Sequence, residues 1–236
     1  MKRRSQPPPP IGSARQPGPD ADVVLQIKVW LMGISPMVWR RVLVPASCSL
    51  RELHGVFQVT MGWEGIHLYQ FRLRAARYGS SELAAISPDV TLAALHFRKG
   101  ARFRYEYDLN VPWRHEVRVE NRETPPASET SPICLGGSGA CPPEDCGGPA
   151  SFMEGCGAMW SLEAMDDFDT MVEILGEVVR ESRSDLLKDD DTRWRLEGAV
   201  ERSKARETAQ GKPFSRRQVN ARLRKGEHLE LMHQQW

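Results

Sequence analysis

The chain has 236 residues, of which 40% are hydrophobic and 27% are charged, so it is long and apolar enough to bury a core. Its formal net charge of +1 gives no overall attraction to nucleic acid or acidic lipid. The basic N-terminus lacks the apolar segment of a secretory signal, no apolar run is long enough to cross a membrane, and the odd number of cysteines argues against a closed disulfide framework. We therefore expect a cytoplasmic protein without a membrane partner.

The first ordered elements are predicted to be two strands that follow a proline-rich tail. Residues 1–22 hold six of the 17 prolines and no apolar periodicity, which predicts a disordered segment. Order begins where apolar side chains occupy every second position, at Leu25, Ile27, Val29 and Leu31. Residues 39–45 predict a second strand, and the two could form a hairpin.

A helix is predicted over about residues 50–61 because both of its ends carry sequence signals. Ser49 and Glu52 have the spacing of a capping box, in which the hydroxyl and the carboxylate satisfy unpaired N–H groups of the first turn. Gly62 ends the helix. Three further strand patterns follow, at residues 67–79, 102–108 and 113–120. This order predicts an α+β fold with a mostly antiparallel sheet, a packed helix and a C-terminal helical part.

The chain is predicted to form one domain, residues 23–225. Its sheet part covers residues 23–120, a linker and a loop rich in cysteine and glycine cover 121–160, and a helical part covers 161–225. An apolar stripe at helical spacing runs through the first predicted helix of that part, from Leu162 to Val179. Residues 226–236 are predicted to be a tail.

Charge is unevenly distributed in the helical part. Residues 163–191 carry eleven acidic and three basic side chains, and residues 202–225 carry nine basic and one acidic. The two segments are expected to face or shield each other. The alternative is that the basic segment contacts DNA phosphates. The candidate DNA-binding residues are Arg216, Arg217, Arg222 and Arg224.

The loop at residues 134–149 contains three cysteines, Cys134, Cys141 and Cys146, among glycines and prolines. Thiolates and imidazoles are zinc ligands, and glycine turns let sulfurs converge, so a structural zinc is one interpretation. The fourth ligand would be Cys156 or a histidine such as His115. The alternatives are buried thiols that pack as small hydrophobic side chains, or a reactive thiol. Structural zinc sites typically have pairs of cysteines separated by two residues, and no such pair occurs here. The three interpretations therefore stay open.

Three polar residues could serve an enzyme. His67 and His115 could act as general acid or base, or bind a metal together with Asp108 and leave one coordination position open. The alternative is that each histidine lies on an ordered element and is hydrogen-bonded to a neighbour. The structural interpretation is preferred.

Several motifs occur in one order along the chain. They are Pro36-x-x-Trp39-Arg40-Arg41, the Leu53-His54 helix ending in Met61-Gly62-Trp63, His67-Leu68-x-x-Phe71, the run ACPPEDCGGP at 140–149, and Val219-Asn220-x-x-Leu223. Over about residues 24–224 they resemble the plasmid pRiA4b ORF-3-like family, also called the insertion-element passenger TnpR family, whose domain is MM3350-like. The resemblance implies a single α+β domain of plasmids, mobile elements and bacterial chromosomes, without an established activity.

The chain departs from this family where the family has a YDFGDxWxH-like turn. It keeps Tyr107, Asp108, Trp113 and His115 and replaces the Gly-Asp pair. The TnpR name is interpreted as genomic context, since no nucleophilic serine set among arginines is apparent. We therefore expect a plasmid- or mobile-element-associated accessory or binding domain, non-enzymatic, with zinc as a possible structural cofactor and DNA or another protein as a partner. A metal-dependent hydrolase or nuclease-like enzyme is the first alternative, and DNA binding through residues 202–225 is the second.

Overall fold

The protein is described by a computed structural model over residues 23–124 and 131–233, so the predicted tail 1–22 lies outside the described residues. Seven strands form one sheet: β1 (Val24–Leu31), β2 (Trp39–Pro45), β3 (Tyr69–Leu73), β4 (Ala76–Gly79), β5 (Arg102–Tyr107), β6 (Trp113–Glu123) and β7 (Ile133–Ser138). Their order is β4-β3-β5-β6-β1-β2-β7, and every neighbouring pair is antiparallel. The predicted fold class is confirmed.

The helices are α1 (Leu50–Met61), α2 (Gly148–Ala158), α3 (Leu162–Arg180), α4 (Asp190–Ala209), α5 (Arg216–Arg224) and α6 (Glu227–Leu231). The capping box of α1 is present: Glu52 N–H donates to the Ser49 hydroxyl at 3.1 Å, and Ser49 N–H donates to the Glu52 carboxylate at 2.7 Å. Gly62 ends α1 with a φ of 86°, a value that suits glycine. Among the described residues, none of these helices has the length and apolar character that crossing a membrane requires.

The core lies between the sheet and α1. The alternating side chains of β1 predicted to face inward are buried, and Leu50, Leu53, Val56 and Phe57 of α1 are fully enclosed. The ring of Phe57 packs against Tyr105 of β5, with ring centroids 5.3 Å apart. Burial of large apolar side chains on both elements is the main stabilising contribution here.

Residues 121–160 are more regular than the predicted linker and loop. Strand β6 continues to Glu123, residues 133–138 form edge strand β7, and residues 148–158 form α2. Strand β7 forms because β2 supplies its hydrogen-bonding partner. The glycine-rich sequence of β7 gives no local signal of this pairing. Asn220 of α5 covers the strand: Cys134 N–H donates to its side-chain oxygen at 2.7 Å, and its amide donates to the Cys134 carbonyl at 2.9 Å.

The tail predicted for residues 226–236 instead begins with helix α6, which packs on α1. His228 and Leu231 of α6 are buried. The contact is close because Gly55 of α1 has no side chain, and a Cβ there would lie 1.9 Å from the His228 carbonyl oxygen. The helix has only five residues and depends on this tertiary contact, so no local pattern predicted it.

Candidate functional site

The segment Pro142–Asp145 of the predicted cysteine loop is held against one end of the sheet by side chains of the recognised motifs. The indole N–H of Trp63 donates to the Pro142 carbonyl at 2.9 Å, and that of Trp113 donates to the Glu144 carbonyl at 3.3 Å. The Tyr107 hydroxyl donates to the Glu144 carboxylate, and burial followed by this contact raises the pKa of Tyr107. We name Trp63, Tyr107 and Trp113 the motif aromatics. Their contacts with this segment give them a structural role.

The three predicted catalytic candidates occupy different environments. His67 is partly exposed, and its Nε2 lies 2.8 Å from the Asp145 carboxylate. Asp108 is buried with a φ of 56°, and its side chain accepts the N–H of Asn110 at 3.2 Å, which forms the turn that replaces the family's Gly-Asp pair. His115 is fully enclosed. In the structure, His67 forms a pair near the surface, Asp108 lies in a turn, and His115 lies in the core.

Two histidines are part of a buried polar layer between α1 and the sheet. His54 Nδ1 lies 2.6 Å from the Tyr105 hydroxyl, and its ring stacks on Tyr69 with centroids 3.7 Å apart. His115 Nδ1 lies 3.0 Å from the Trp113 carbonyl. Burial lowers the pKa of both histidines to about 3, so both rings are neutral at pH 7. They suit core packing better than proton transfer near neutral pH.

The cysteines predicted as zinc ligands lie on different elements. Cys134 is buried in β7, and buried Cys141 forms an isolated bridge with Lys212. Cys146 and Cys156 are half-buried, before and within α2. Burial raises the pKa of the Cys141 thiol to about 12 and also raises that of Cys134.

No group of three or more His, Cys, Asp or Glu side chains within the described ranges is arranged to hold a metal ion. The four-ligand geometry of a structural zinc is therefore not assembled from these side chains. The zinc site stays a prediction. Elemental analysis of the purified protein beside Cys141→Ser/Cys146→Ser checks it, and a zinc content that the variant lacks is the supporting result.

Arg40 belongs to one of the motifs, and its side chain is buried, which the sequence analysis did not predict. Its guanidinium donates to the main-chain carbonyls of Thr60, Trp39 and Ser138, each at 2.8 Å, and to that of Gly139 at 3.2 Å. Burial lowers its pKa. Arg40 therefore ties the end of α1 to β2 and β7. The motif around Trp39 was the available signal, although it did not show that the arginine points inward.

The acidic and basic segments meet at Asp167 of α3. This buried carboxylate accepts hydrogen bonds from Arg202, at 2.5 Å, and from Arg206, both on α4. The two guanidinium groups lower the pKa of Asp167. One ion-pair cluster around a buried carboxylate thus joins the oppositely charged segments, as the shielding interpretation expected.

The four predicted DNA contacts lie on α5, where two of them have protein partners. Arg216 donates to the Leu135 carbonyl at 3.4 Å, and Arg222 pairs with Glu227 at 2.5 Å. Arg217 and Arg224 are exposed. DNA binding stays a prediction that the salt dependence of binding would check, with Arg217→Ala/Arg224→Ala expected to reduce that dependence.

Helix α3 carries a row of exposed apolar side chains that we name the α3 stripe. Its members are Leu162, Met165, Phe168, Val172, Leu175 and Val179, with exposed fractions between 47% and 80%. The sequence predicted this stripe, and a core-facing position is its usual meaning. Helix α4 instead covers the adjacent face of α3, which contains buried Ile174. The stripe is left on the surface of the described chain.

Comparison with known proteins places this arrangement in a family. The family described as "Plasmid pRiA4b ORF-3-like protein" matches residues 23–186. The chain belongs to this family. It is 39% identical over 142 residues to the uncharacterized protein y4hQ of Sinorhizobium fredii (strain NBRC 101917 / NGR234), covering 58% of this chain and 73% of that protein.

A solved structure has the same fold. The crystal structure of MM3350 from Methanosarcina mazei Go1, a protein of unknown function, is 28% identical and superimposes with a TM-score of 0.55. The match covers 61% of this chain and 86% of that one. The pRiA4b ORF-3-like assignment therefore rests on sequence and on fold, and both relatives are themselves uncharacterised.

Proposed function

We propose that the protein is a non-enzymatic binding domain that docks an amphipathic helix of a partner protein on the α3 stripe. The observation that carries this proposal is the exposure of six large apolar side chains in one row on one helix. A contiguous apolar surface of this kind on a folded domain is typical of a protein interaction site. Fully burying a side chain of this size contributes about 1.5–3 kcal/mol, and the fraction of each that is still exposed contributes a share of that when a partner covers the row.

The spacing within the stripe suits a helical partner. Positions 165, 168, 172, 175 and 179 are separated by alternating steps of three and four residues, the spacing of a coiled-coil seam. From Leu162 to Val179 the stripe extends about 26 Å along the helix axis. A partner helix of several turns can follow a seam of this length, which is the helix-in-groove mode of recognition.

Charge beside the stripe selects the kind of helix. Asp166, Asp169 and Glu173 are exposed along one edge of it. A partner helix with lysine or arginine next to its apolar face would pair with these carboxylates and gain specificity. A second copy of this chain, packed antiparallel on the same stripe, would place the carboxylates opposite one another. The proposed occupant is therefore a basic-flanked helix of another protein.

The non-enzymatic part of the proposal is supported by what the catalytic candidates contact. His115 lies in the core with its pKa lowered to about 3 by burial, and Asp108 closes a turn. His67 pairs with Asp145 on the segment that the motif aromatics hold. Each candidate thus has a structural use, which favours a binding domain over the metal-dependent hydrolase.

The test is a fluorescence anisotropy titration of the full-length protein with two labelled, designed helical peptides. Both have three heptads with leucine at the seam, and one has lysine at the flanking positions where the other has glutamate. We expect the lysine peptide to bind with a dissociation constant of about 10 μM and the glutamate peptide to bind at least about tenfold more weakly. Equal affinity for the two peptides, or no binding of either, contradicts the proposal.

Two variants locate the binding. Phe168→Glu places a charge in the middle of the stripe and should abolish binding of the lysine peptide. Ile86→Glu is the matched control, because Ile86 is 55% exposed and lies outside the stripe. Sedimentation velocity of the same proteins tests the other occupant. A dimer that dissociates in Phe168→Glu would mean that the stripe binds a second copy.

A further inference from the structure

A cavity of about 960 Å³ lies between the β3–β4 hairpin and the loop that enters β5. Arg74 on the hairpin and Arg98 and Arg102 on the loop side contribute guanidinium groups, and Tyr78 and Phe97 contribute half-buried rings. None of its described lining residues is acidic. The volume is in the range of small-molecule sites, and the lining combines positive charge with aromatic surface.

The positive charge of this cavity is only partly compensated. Arg102 lies 2.9 Å from the Glu116 carboxylate, an exposed pair. In the part of the chain that the structure describes, Arg74 and Arg98 have no carboxylate within ion-pair distance. Two free guanidinium groups that border one cavity can each donate several hydrogen bonds to an anion such as a phosphate.

The backbone around the cavity is strained at two positions. Arg74 and His96 have φ values of 53° and 48°, in the left-handed region that residues with a Cβ rarely adopt. Both line the cavity, one on the hairpin and one on the loop. Strained residues cluster at ligand sites, where the surrounding structure holds them in place. Arg74 lies in the two-residue turn between Leu73 and Ala76, where a positive φ also serves the hairpin, so the positive φ of His96 is the one that the hairpin turn does not account for.

Two of the aromatic rings that line the cavity hold each other in place. Phe97 stacks on Phe103 with ring centroids 4.9 Å apart and an angle of 13° between the planes, and Phe103 is buried. A flat ring held in this way is a surface on which a planar heterocycle stacks. Aromatic stacking beside free guanidinium groups is the combination that recognises a base together with its phosphates.

From these features we infer that the cavity binds a nucleotide, with the base against Phe97 and Tyr78 and the phosphates on Arg74 and Arg98. The inference is independent of the α3 stripe, which lies on another element. It adds a small-molecule or single-strand site to the protein-docking surface proposed above.

Isothermal titration calorimetry of the full-length protein tests the assignment with three probes: ATP, adenosine and tripolyphosphate. Because binding uses both parts of the nucleotide, ATP should bind at least about tenfold more tightly than either of the others. If tripolyphosphate binds as well as ATP, the rings contribute nothing and the inference is overturned. Equal binding of adenosine and ATP, or no binding of ATP, also overturns it.

Variants with equal charge changes locate the site. Arg74→Ala/Arg98→Ala should weaken ATP binding at least about tenfold, since two charge-assisted contacts are lost. Arg77→Ala/Arg104→Ala removes two exposed arginines outside the cavity lining and should leave the affinity within about twofold. Equal losses in both variants would mean general charge attraction and would overturn the inference. Phe97→Leu keeps the apolar volume and should weaken ATP but not tripolyphosphate.

A single-stranded hexanucleotide distinguishes a free nucleotide from one within a strand. If the strand competes with ATP and both bind more weakly to Arg74→Ala/Arg98→Ala, the inference is supported and the bound nucleotide belongs to a strand. Binding of ATP alone supports it with a free nucleotide as the source. Strand binding that persists unchanged in the variant while ATP does not bind overturns it.

Discussion

The sheet with α1 and the hairpin of α3 and α4 use apolar side chains in opposite ways. Phe57 of α1 is fully buried against the rings of the sheet, whereas Phe168 of α3 is 61% exposed. Both helices are amphipathic in sequence and both begin with a serine cap. The difference is the partner: α1 has a seven-stranded sheet beneath it, whereas among the described residues α3 packs mainly on the polar helix α4, along one side. An amphipathic pattern thus predicts that the apolar face of a helix will be covered. It does not predict whether the covering surface belongs to the same chain or to another protein.

The largest expected difference comes from one substitution made in both regions. Phe57→Ala should lower the free energy of unfolding by about 3–5 kcal/mol, because it leaves a cavity in the core. Phe168→Ala removes an exposed ring and should change the same quantity by less than about 0.5 kcal/mol. Urea denaturation followed by circular dichroism measures both. Similar losses in the two variants would mean that the α3 stripe is already buried.

A second comparison sets the buried Arg40 against its half-buried neighbour Arg41. Arg40→Met leaves four carbonyls without their guanidinium donor and should lower the free energy of unfolding by about 2–4 kcal/mol. Arg41→Met breaks a partly exposed pair with Glu120 and should cost less than about 1 kcal/mol. The same denaturation experiment compares them. If the Arg41 variant loses as much, the role assigned to Arg40 is incorrect.

The pH dependence of stability reports the buried histidines. Unfolded histidines take up a proton below about pH 6.5, while His54 and His115 stay neutral in the folded chain down to about pH 3. The unfolded state therefore binds more protons in this window, and stability falls as the pH falls. Each histidine contributes a slope approaching about 1.4 kcal/mol per pH unit well below pH 6.5.

Urea denaturation between pH 7.5 and 5 measures this slope, above the range in which most carboxylates titrate. Burial also lowers the pKa of His228, which therefore adds to the same slope, so the variant His54→Gln should reduce the slope by about a third to a half. A stability that stays constant over the range would show that the folded protein protonates these rings and that they are not enclosed.

The smallest expected effect concerns the covered edge of the sheet. Asn220→Ala removes both hydrogen bonds to Cys134 and should lower the free energy of unfolding by about 1–2 kcal/mol. Gln218→Ala, at an exposed position of the same helix, is the control and should change it by less than about 0.5 kcal/mol. Thermal denaturation measures the difference between the two variants. Equal losses of stability would contradict the role of α5 in covering the edge strand.

Sequence patterns predicted the elements whose signals are local. The caps of α1 and the alternation in β1 depend on residues a few positions apart, and both predictions are confirmed. Strand β7 and helix α6 depend on partners far along the chain: β2 and Asn220 for the strand, and Gly55 for the helix. Trp63 and Trp113 are buried, and their contacts with Pro142 and Glu144 join residues at least 31 positions apart, so no local signal predicted these contacts.

The measurement that tests the central claim most directly is hydrogen–deuterium exchange of the full-length protein, alone and with the lysine-flanked peptide. Alone, the amides of α3 should exchange at least about 100-fold faster than those of α1, because the face of α3 that carries the stripe lacks a covering partner. With the peptide, protection should increase over residues 162–179 and remain unchanged in α1. Protection of α3 equal to that of α1 without the peptide, or no added protection with it, would contradict the account.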